Sequence, residues 1–277
     1  MNGPVAPDPW QHLRRFTPAR IALGRAGNSL PTVAVLELGA AHAQARDAVH
    51  TALAPERLLE QLRAEGFEAI GLHSAARDRE QYLRRPDLGQ CLDEASRNAL
   101  GGLASRVEPG FIVVIADGLS SQAAHRHALP LVKAMRAQLS APPRRLQAGA
   151  ARDPLGWGPV VVAGLARVAL GDEIGAILRA RQVAVLIGER PGLSAPDSLG
   201  IYFTHAPRVG CANAGRNCIS NVRPQGLSYA IAARRLALLS DGARALGRSG
   251  VLLKDESATA FTDDGVNGPE DTRPGLA

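Results

Sequence analysis

Glu189 is the acidic residue best placed for ligand chemistry. It stands in Gly188-Glu189-Arg190-Pro191-Gly192-Leu193, directly after the apolar run Val183-Ala184-Val185-Leu186-Ile187. A carboxylate at the end of a buried strand accepts hydrogen bonds from ligand amide or hydroxyl groups. Gly188 and Gly192 let backbone approach a bulky group, and Pro191 stiffens the turn. The same composition also describes an ordinary turn with a solvated acid, and on this loop alone both readings stand. Two more loops follow apolar runs. Asp117-Gly118-Leu119-Ser120-Ser121 comes after Phe111 to Ala116 and reads equally as an N-cap and turn. Val168 to Asp172 comes after Val160 to Ala163, separated from it by Gly164-Leu165-Ala166-Arg167.

Self-contained catalytic patterns are missing from the sequence. There is no GxGxxG after a strand and no GxxxxGK[ST], so a dinucleotide or P-loop site is unsupported. There is no GxSxG elbow and no HExxH. His125 and His127 are spaced by two on a predicted helix and face different sides, so they read as surface or capping residues. The three cysteines, Cys91, Cys211 and Cys218, form no CxxC or Cys/His cluster. Their odd number argues against a disulfide framework, and each reads by default as a small buried apolar side chain. The residues alone describe a ligand-binding α/β domain. A stand-alone α/β nucleotide-binding enzyme is the alternative reading, and it lacks its glycine fingerprint.

The elements that must hold these loops are legible in the apolar pattern. Strands are predicted at 111–116, 160–163 (entered through Pro159) and 183–187, with a weaker one at 201–203. Their continuous apolar runs suit strands buried on both faces. Helices are predicted at 122–139, which Pro130 should kink or divide, at 172–181 and at 227–239. Strand alternating with helix implies parallel pairing with helices on both faces. Earlier in the chain, 41–53 is Ala-rich, Pro55 starts a new helix at its first turn, and Leu92, Ala95, Ala99 and Leu103 mark one face of a third helix over 89–103. The expected fold is therefore α/β: a Rossmann-like parallel sheet flanked by helices over 106–254, preceded by a mostly helical N-terminal section over 1–105. Residues 255–277 are polar and are expected to be a disordered tail, and the Pro-rich first dozen to be loose until they meet a surface.

Composition bounds the partners. Apolar residues are 45% and charged residues 21%, ordinary for a globular protein. No apolar run approaches the ~20 residues that span a bilayer, and the start shows no secretory pattern, so no membrane partner is expected and the cytoplasm is the expected compartment. The net charge is +6, carried almost wholly by arginine, since Lys133 and Lys254 are the only lysines. No basic arm is interleaved with aromatics, so the arginines read as solvated faces and no nucleic acid is expected.

Six segments together resemble the ethanolamine ammonia-lyase small (light) subunit family. They are Ala19-Arg20-Ile21-Ala22-Leu23-Gly24-Arg25-Ala26-Gly27, Tyr82-Leu83-Arg84-Arg85-Pro86-Asp87-Leu88-Gly89, Ile115-Ala116-Asp117-Gly118-Leu119-Ser120, Asp172-Glu173-Ile174-Gly175, Gly188-Glu189-Arg190-Pro191-Gly192-Leu193 and Cys218-Ile219-Ser220-Asn221. They span about residues 19 to 240 in the family's order. The family's longer N-terminal extension is largely absent, and the polar C-terminal tail lies outside the pattern. The resemblance implies a cobalamin-contacting domain that holds adenosylcobalamin against a large subunit in a hetero-oligomer. That large subunit is a TIM barrel with the substrate site. The implied reaction turns ethanolamine into acetaldehyde and ammonia by a radical mechanism begun by homolysis of the cobalt–carbon bond. It implies cofactor contacts at Val168, Glu189 and Cys218, with no catalytic acid, base or radical residue and no metal ligand in this chain. Since the sequence has no DxHxxG, the cofactor is expected to bind base-on. The implied location is the cytoplasm or a bacterial microcompartment, which family members reach through the extension that this chain largely lacks.

Overall fold

The computed structural model describes residues 5–104, 109–140 and 156–254. Seven α-helices and six strands are defined within them: α1 (Thr32–His50), α2 (Pro55–Ala64), β1 (Ala69–His73), α3 (Arg79–Arg84), α4 (Glu94–Ala104), β2 (Phe111–Ala116), α5 (Ser121–Ser140), β3 (Trp157–Gly164), α6 (Leu170–Ile177), β4 (Gln182–Gly188), β5 (Leu199–His205), β6 (Asn217–Val222) and α7 (Tyr229–Leu246). The expected tail over 255–277 lies outside the described residues.

The six strands form one sheet in the order β1-β3-β2-β4-β5-β6. β1, β3, β2 and β4 are parallel, whereas β5 runs antiparallel to β4 and β6 antiparallel to β5. The wholly parallel Rossmann-like sheet is thus corrected to a mixed one. The physical reason is the connection: residues 189–198 contain no helix, and a parallel return needs a crossover of about a dozen residues or more. β1 was not expected within the mostly helical N-terminal stretch. It pairs with β3 from Ala69↔Val160 to His73↔Gly164.

Alternation along the buried strands builds two cores. Phe111, Val113 and Ile115 of β2 point to one side, with Val160, Ala184, Leu199, Ile201, Phe203 and Ile219, under α2, α5 and α7. Ile112, Val114 and Ala116 point to the other, with Val161, Val183 and Val185, under α4 and α6. The first side covers all six strands. Among the described residues the second cover stops at β4, and of β5 and β6 only Tyr202 packs against that core, partly buried. This asymmetry matters for function.

Prolines behave as local chemistry dictates. Pro55 opens α2 as expected. Pro130 lies inside α5, which runs on through it undivided. Pro159 is the third residue of β3 rather than its first. It falls where the pairing with β2 slips between Phe111↔Trp157 and Val113↔Val160, a bulge that needs no N–H from proline.

Candidate functional site

The carboxyl ends of β3, β2 and β4 lie on one edge of the sheet, together with the start of β5 and the end of β6. Open α/β sheets bind ligands at such an edge. Two of the three loops meet there. Leu119 N–H donates to the Gly188 carbonyl at 2.9 Å. A Cβ on Gly188 would stand 2.1 Å from the Ser120 carbonyl oxygen and 2.5 Å from that of Asp117, so only glycine fits between these loops.

The Asp117 loop is structural. Its carboxylate is buried and accepts from the backbone N–H of Ala166 at 2.9 Å and of Gly118 at 3.0 Å. Arg79 reaches its other oxygen at 3.2 Å. Burial pushes this carboxyl above the usual carboxylate range, while those N–H groups and Arg79 oppose the shift. Ser120 caps α5, its Oγ accepting from Ala123 N–H and donating to the Pro196 carbonyl. These contacts employ Asp117 and Ser120 in holding the fold, and the N-cap reading of the loop holds at Ser120.

Glu189 is arranged differently. It is half-buried, directly after β4, and its carboxylate accepts the Asn221 N–H through both oxygens at 3.3 and 3.2 Å. Asn221 has φ 60°. It sits where β6 slips against β5 between Ile201↔Ile219 and Leu199↔Val222, a bulge that frees one backbone N–H. One or two hydrogen bonds leave a carboxylate further acceptor capacity. Beneath it, a Cβ on Gly200 would come 3.0 Å from Glu189 Oε1, so the glycine makes room for the carboxylate.

Cys218 is exposed on β6, not buried as its default reading expected. Its Sγ lies 3.3 Å from Ser220 Oγ. Directly across the ladder from Cys218 is Tyr202. Burial, and then the neighbouring Cys218 and Glu189, push the Tyr202 phenol up to about 12. Tyr202 thus stands beside Cys218 and next along its face to Gly200, over which the Glu189 carboxylate lies, and sequence reasoning missed it. Its signal was weak: one of two adjacent aromatics in a strand that stood out as Ile201-Tyr202-Phe203 only.

Val168 lies in the turn between β3 and α6, half-buried against the second core. Its carbonyl accepts from Gly171 N–H in the first turn of α6. It shares the sheet edge with Glu189, but no hydrogen bond in the structure joins it to Glu189 or Cys218. Deeper on the same side, Arg216 pairs with the buried Asp172 and donates to Thr204 Oγ1 at 3.3 Å. This closes the lower half of the β5–β6 face. What remains open is a shallow patch of Tyr202, Cys218 and Ser220 rimmed by Glu189.

The histidines take structural positions. His125 Nε2 accepts the Ala54 N–H at 2.9 Å, the capping role expected. His127 is buried, with Nδ1 2.8 Å from Tyr229 Oη and Nε2 3.4 Å from Asp197. Among the described residues, no three His, Cys, Asp or Glu side chains come together as metal ligands, and no helix is long and apolar enough to cross a membrane.

A family model described as "Ethanolamine ammonia-lyase light chain (EutC)" matches residues 7–254. Similar curated proteins carry the name "Ethanolamine ammonia-lyase small subunit". That of Ralstonia nicotianae is 52% identical over 266 residues, covering 94% of this chain and 93% of its own. That of Azotobacter vinelandii is 51% identical over 272 residues, covering 97% and 96%. That of Pseudomonas syringae pv. tomato is 53% identical over 264 residues, covering 93% and 87%.

Proposed function

The chain belongs to the ethanolamine ammonia-lyase light-chain family, and on that premise we propose that it is the small subunit of an adenosylcobalamin-dependent ethanolamine ammonia-lyase. In this reading the enzyme is a hetero-oligomer that converts ethanolamine to acetaldehyde and ammonia. The large subunit holds the substrate, and this chain holds one side of the cofactor. When bound, adenosylcobalamin supplies the radical chemistry that ethanolamine deamination needs.

The observation that carries the reading is the uncovered face of β5 and β6, bordered by Glu189 at the end of β4. Among the described residues, β2, β3 and β4 are sandwiched between helices, yet here Cys218 and Ser220 stay exposed. A large macrocycle rimmed with amides needs such a surface: shallow, part apolar, with acceptors at its border. Glu189 accepts amide or hydroxyl protons, Cys218 packs against or hydrogen-bonds the nucleotide tail, and Val168 adds an apolar contact and backbone groups at the next loop. These residues bind and orient, and none of them is an acid or base of the reaction. The parallel strands β1, β3, β2 and β4, with their loops at the carboxyl ends, form the Rossmann-like part of this reading.

Base-on binding belongs to the same proposal, because the sequence contains no DxHxxG. Electron paramagnetic resonance of bound cob(II)alamin tests it: splitting from the cofactor's own benzimidazole nitrogen is expected. Splitting that follows a protein histidine label would count against it. We place the enzyme in the cytoplasm, free or enclosed in a microcompartment.

The direct experiment co-expresses this chain with the neighbouring large-subunit candidate and also expresses each alone, then measures acetaldehyde from ethanolamine with adenosylcobalamin present. Activity only with both chains is expected. Glu189→Ala in the pair should weaken cofactor binding by roughly tenfold, the worth of one charge-assisted hydrogen bond. Full activity of the large chain alone, or no cobalamin binding by the pair, overturns the proposal.

A further inference from the structure

We propose that Tyr202 is a further cofactor-positioning residue, its ring forming the floor of the open β5–β6 patch beside Cys218. The inference rests on the small-subunit reading and extends it by a residue that the resemblance did not supply.

Successive side chains of β5 alternate between the faces of the sheet. Leu199, Ile201 and Phe203 enter the core under α5 and α7, so Gly200, Tyr202 and Thr204 face the other way. Thr204 is buried beneath Arg216, and Gly200 has no side chain. Tyr202 is therefore the large side chain that β5 contributes to the open patch. It is half-buried and packs on the second core, and its partner across β6, Cys218, is exposed. On the β4 side its ladder partner is Val185 of the second core, and the Glu189 carboxylate lies over Gly200, the next residue of β5 on this face, where its charge helps raise the Tyr202 phenol.

An aromatic ring in this position does what Glu189 and Cys218 cannot. It offers a flat, apolar surface, stiff because it has two side-chain torsions and is wedged on one side against the core. A planar heteroaromatic base or a macrocycle edge can lie against such a surface. Cys218 and Ser220 beside it, joined at 3.3 Å, and Glu189 above it supply the polar contacts. The ring fixes where the ligand rests, and the polar groups fix its rotation.

The test uses the complex of this chain with its large subunit and hydroxocobalamin as probe, followed by spectrophotometric titration. The wild-type complex is measured first; if it binds no hydroxocobalamin, the small-subunit reading fails, whatever Tyr202 does. Given binding, Tyr202→Ser should raise the Kd roughly tenfold, the usual worth of one stacking contact. Tyr202→Phe, which keeps the ring, should stay within about threefold of wild type. The KM for ethanolamine should be unchanged in both, because the substrate lies in the other subunit; a merely structural role would disturb it too. If the serine variant does not assemble, Tyr202→Leu, which keeps apolar bulk against β4, carries the same expected loss. Binding by Tyr202→Ser or Tyr202→Leu equal to wild type overturns the proposal, and so does a loss in Tyr202→Phe as large as theirs.

Discussion

In the proposed enzyme the Glu189 carboxylate has two tasks, and substitutions can separate them. It satisfies the freed N–H of the Asn221 bulge, and in the proposed enzyme it also accepts from the cofactor. Glu189→Gln keeps a carbonyl acceptor for Asn221 but removes the charge. Thermal unfolding of the assembled protein should therefore stay within about 0.5 kcal/mol of wild type in Glu189→Gln, whereas Glu189→Ala should cost about 1 kcal/mol. Cofactor affinity should fall in both. A second residue-scale expectation concerns pH. Burial, opposed by Asp197, holds His127 below its ordinary value of 6.5. Burial, with Arg57 adding to it, lowers His125 as well. A lowered folded value means that the unfolded chain binds more protons in the window between the two values. The stability these histidines contribute is thus fully present above about pH 6.5 and is lost as pH falls through their folded values. Arg126 and His127 hold the Asp197 carboxyl below the usual range although burial pushes it up, so its contribution is also lost on acidification, at lower pH. Melting temperatures between pH 8 and pH 5 should fall, and His127→Gln should flatten the slope. A wild-type slope in that variant would show that His127 is not one of its sources.

At the scale of elements, the legible parts were those with one strong periodic signal. β2 and β4 stood out as uninterrupted apolar runs rich in β-branched residues because helices cover both their faces. α2 and α7 stood out by a helix-starting proline and by an Ala- and Leu-rich face. β1 and β6 did not, for different reasons. Ala69-Ile70-Gly71-Leu72-His73 has few β-branched residues, and it holds its place by pairing with β3 and through contacts at its ends. Arg63 caps the Ala69 carbonyl, Ser96 Oγ accepts the His73 N–H at 2.8 Å and Asp93 N–H donates to the His73 carbonyl. Such contacts also blunt an edge that could otherwise pair with another chain. β6 is Cys218-Ile219-Ser220-Asn221 within its span, and the bulge at Asn221 breaks the alternation that would mark a strand. The antiparallel return of β5, and with it the bare patch and Tyr202, depends on a loop too short for a crossover helix, which the apolar pattern alone did not weigh. Ser96 offers a clean measurement here. Ser96→Ala leaves the His73 N–H without its acceptor and should cost about 1–3 kcal/mol in thermal or denaturant unfolding. Hydrogen exchange at His73 should rise with it, and an unchanged exchange rate would mean that this bond does not hold the edge.

At the scale of the whole molecule, the N-terminal segment and α1 carry a run of exposed apolar side chains beside the open β5–β6 patch, while Val209, Val251 and Leu252 are exposed elsewhere. Trp10, Phe16, Leu30, Val33, Val35 and Leu36 are all exposed, with Val33 at 62% and Leu36 at 67%. α1 buries only Ala34, Ala41 and Ala48, so it rests on the body through small side chains and turns larger ones outward. Several large apolar side chains left exposed along one stretch of chain suit an interaction site. The segment before α1 is fastened to the loop that carries Glu189: Arg20 donates to the Leu193 carbonyl at 3.2 Å and Ser194 Oγ to the Pro18 carbonyl at 3.3 Å. A partner seated on this segment is thereby held beside the open patch, as the proposed large subunit must be to share one cofactor. Val33 and Leu36 are one turn apart on the same side of α1. The pair Val33→Ser and Leu36→Ser should leave the fold of this chain intact, since both side chains are exposed. Burying two such side chains is worth about 1.5–3 kcal/mol each at most, so the double variant should lose roughly tenfold or more in affinity for the large subunit. Sedimentation of the mixed subunits over a concentration series measures it. Assembly at wild-type affinity would move the contact away from α1.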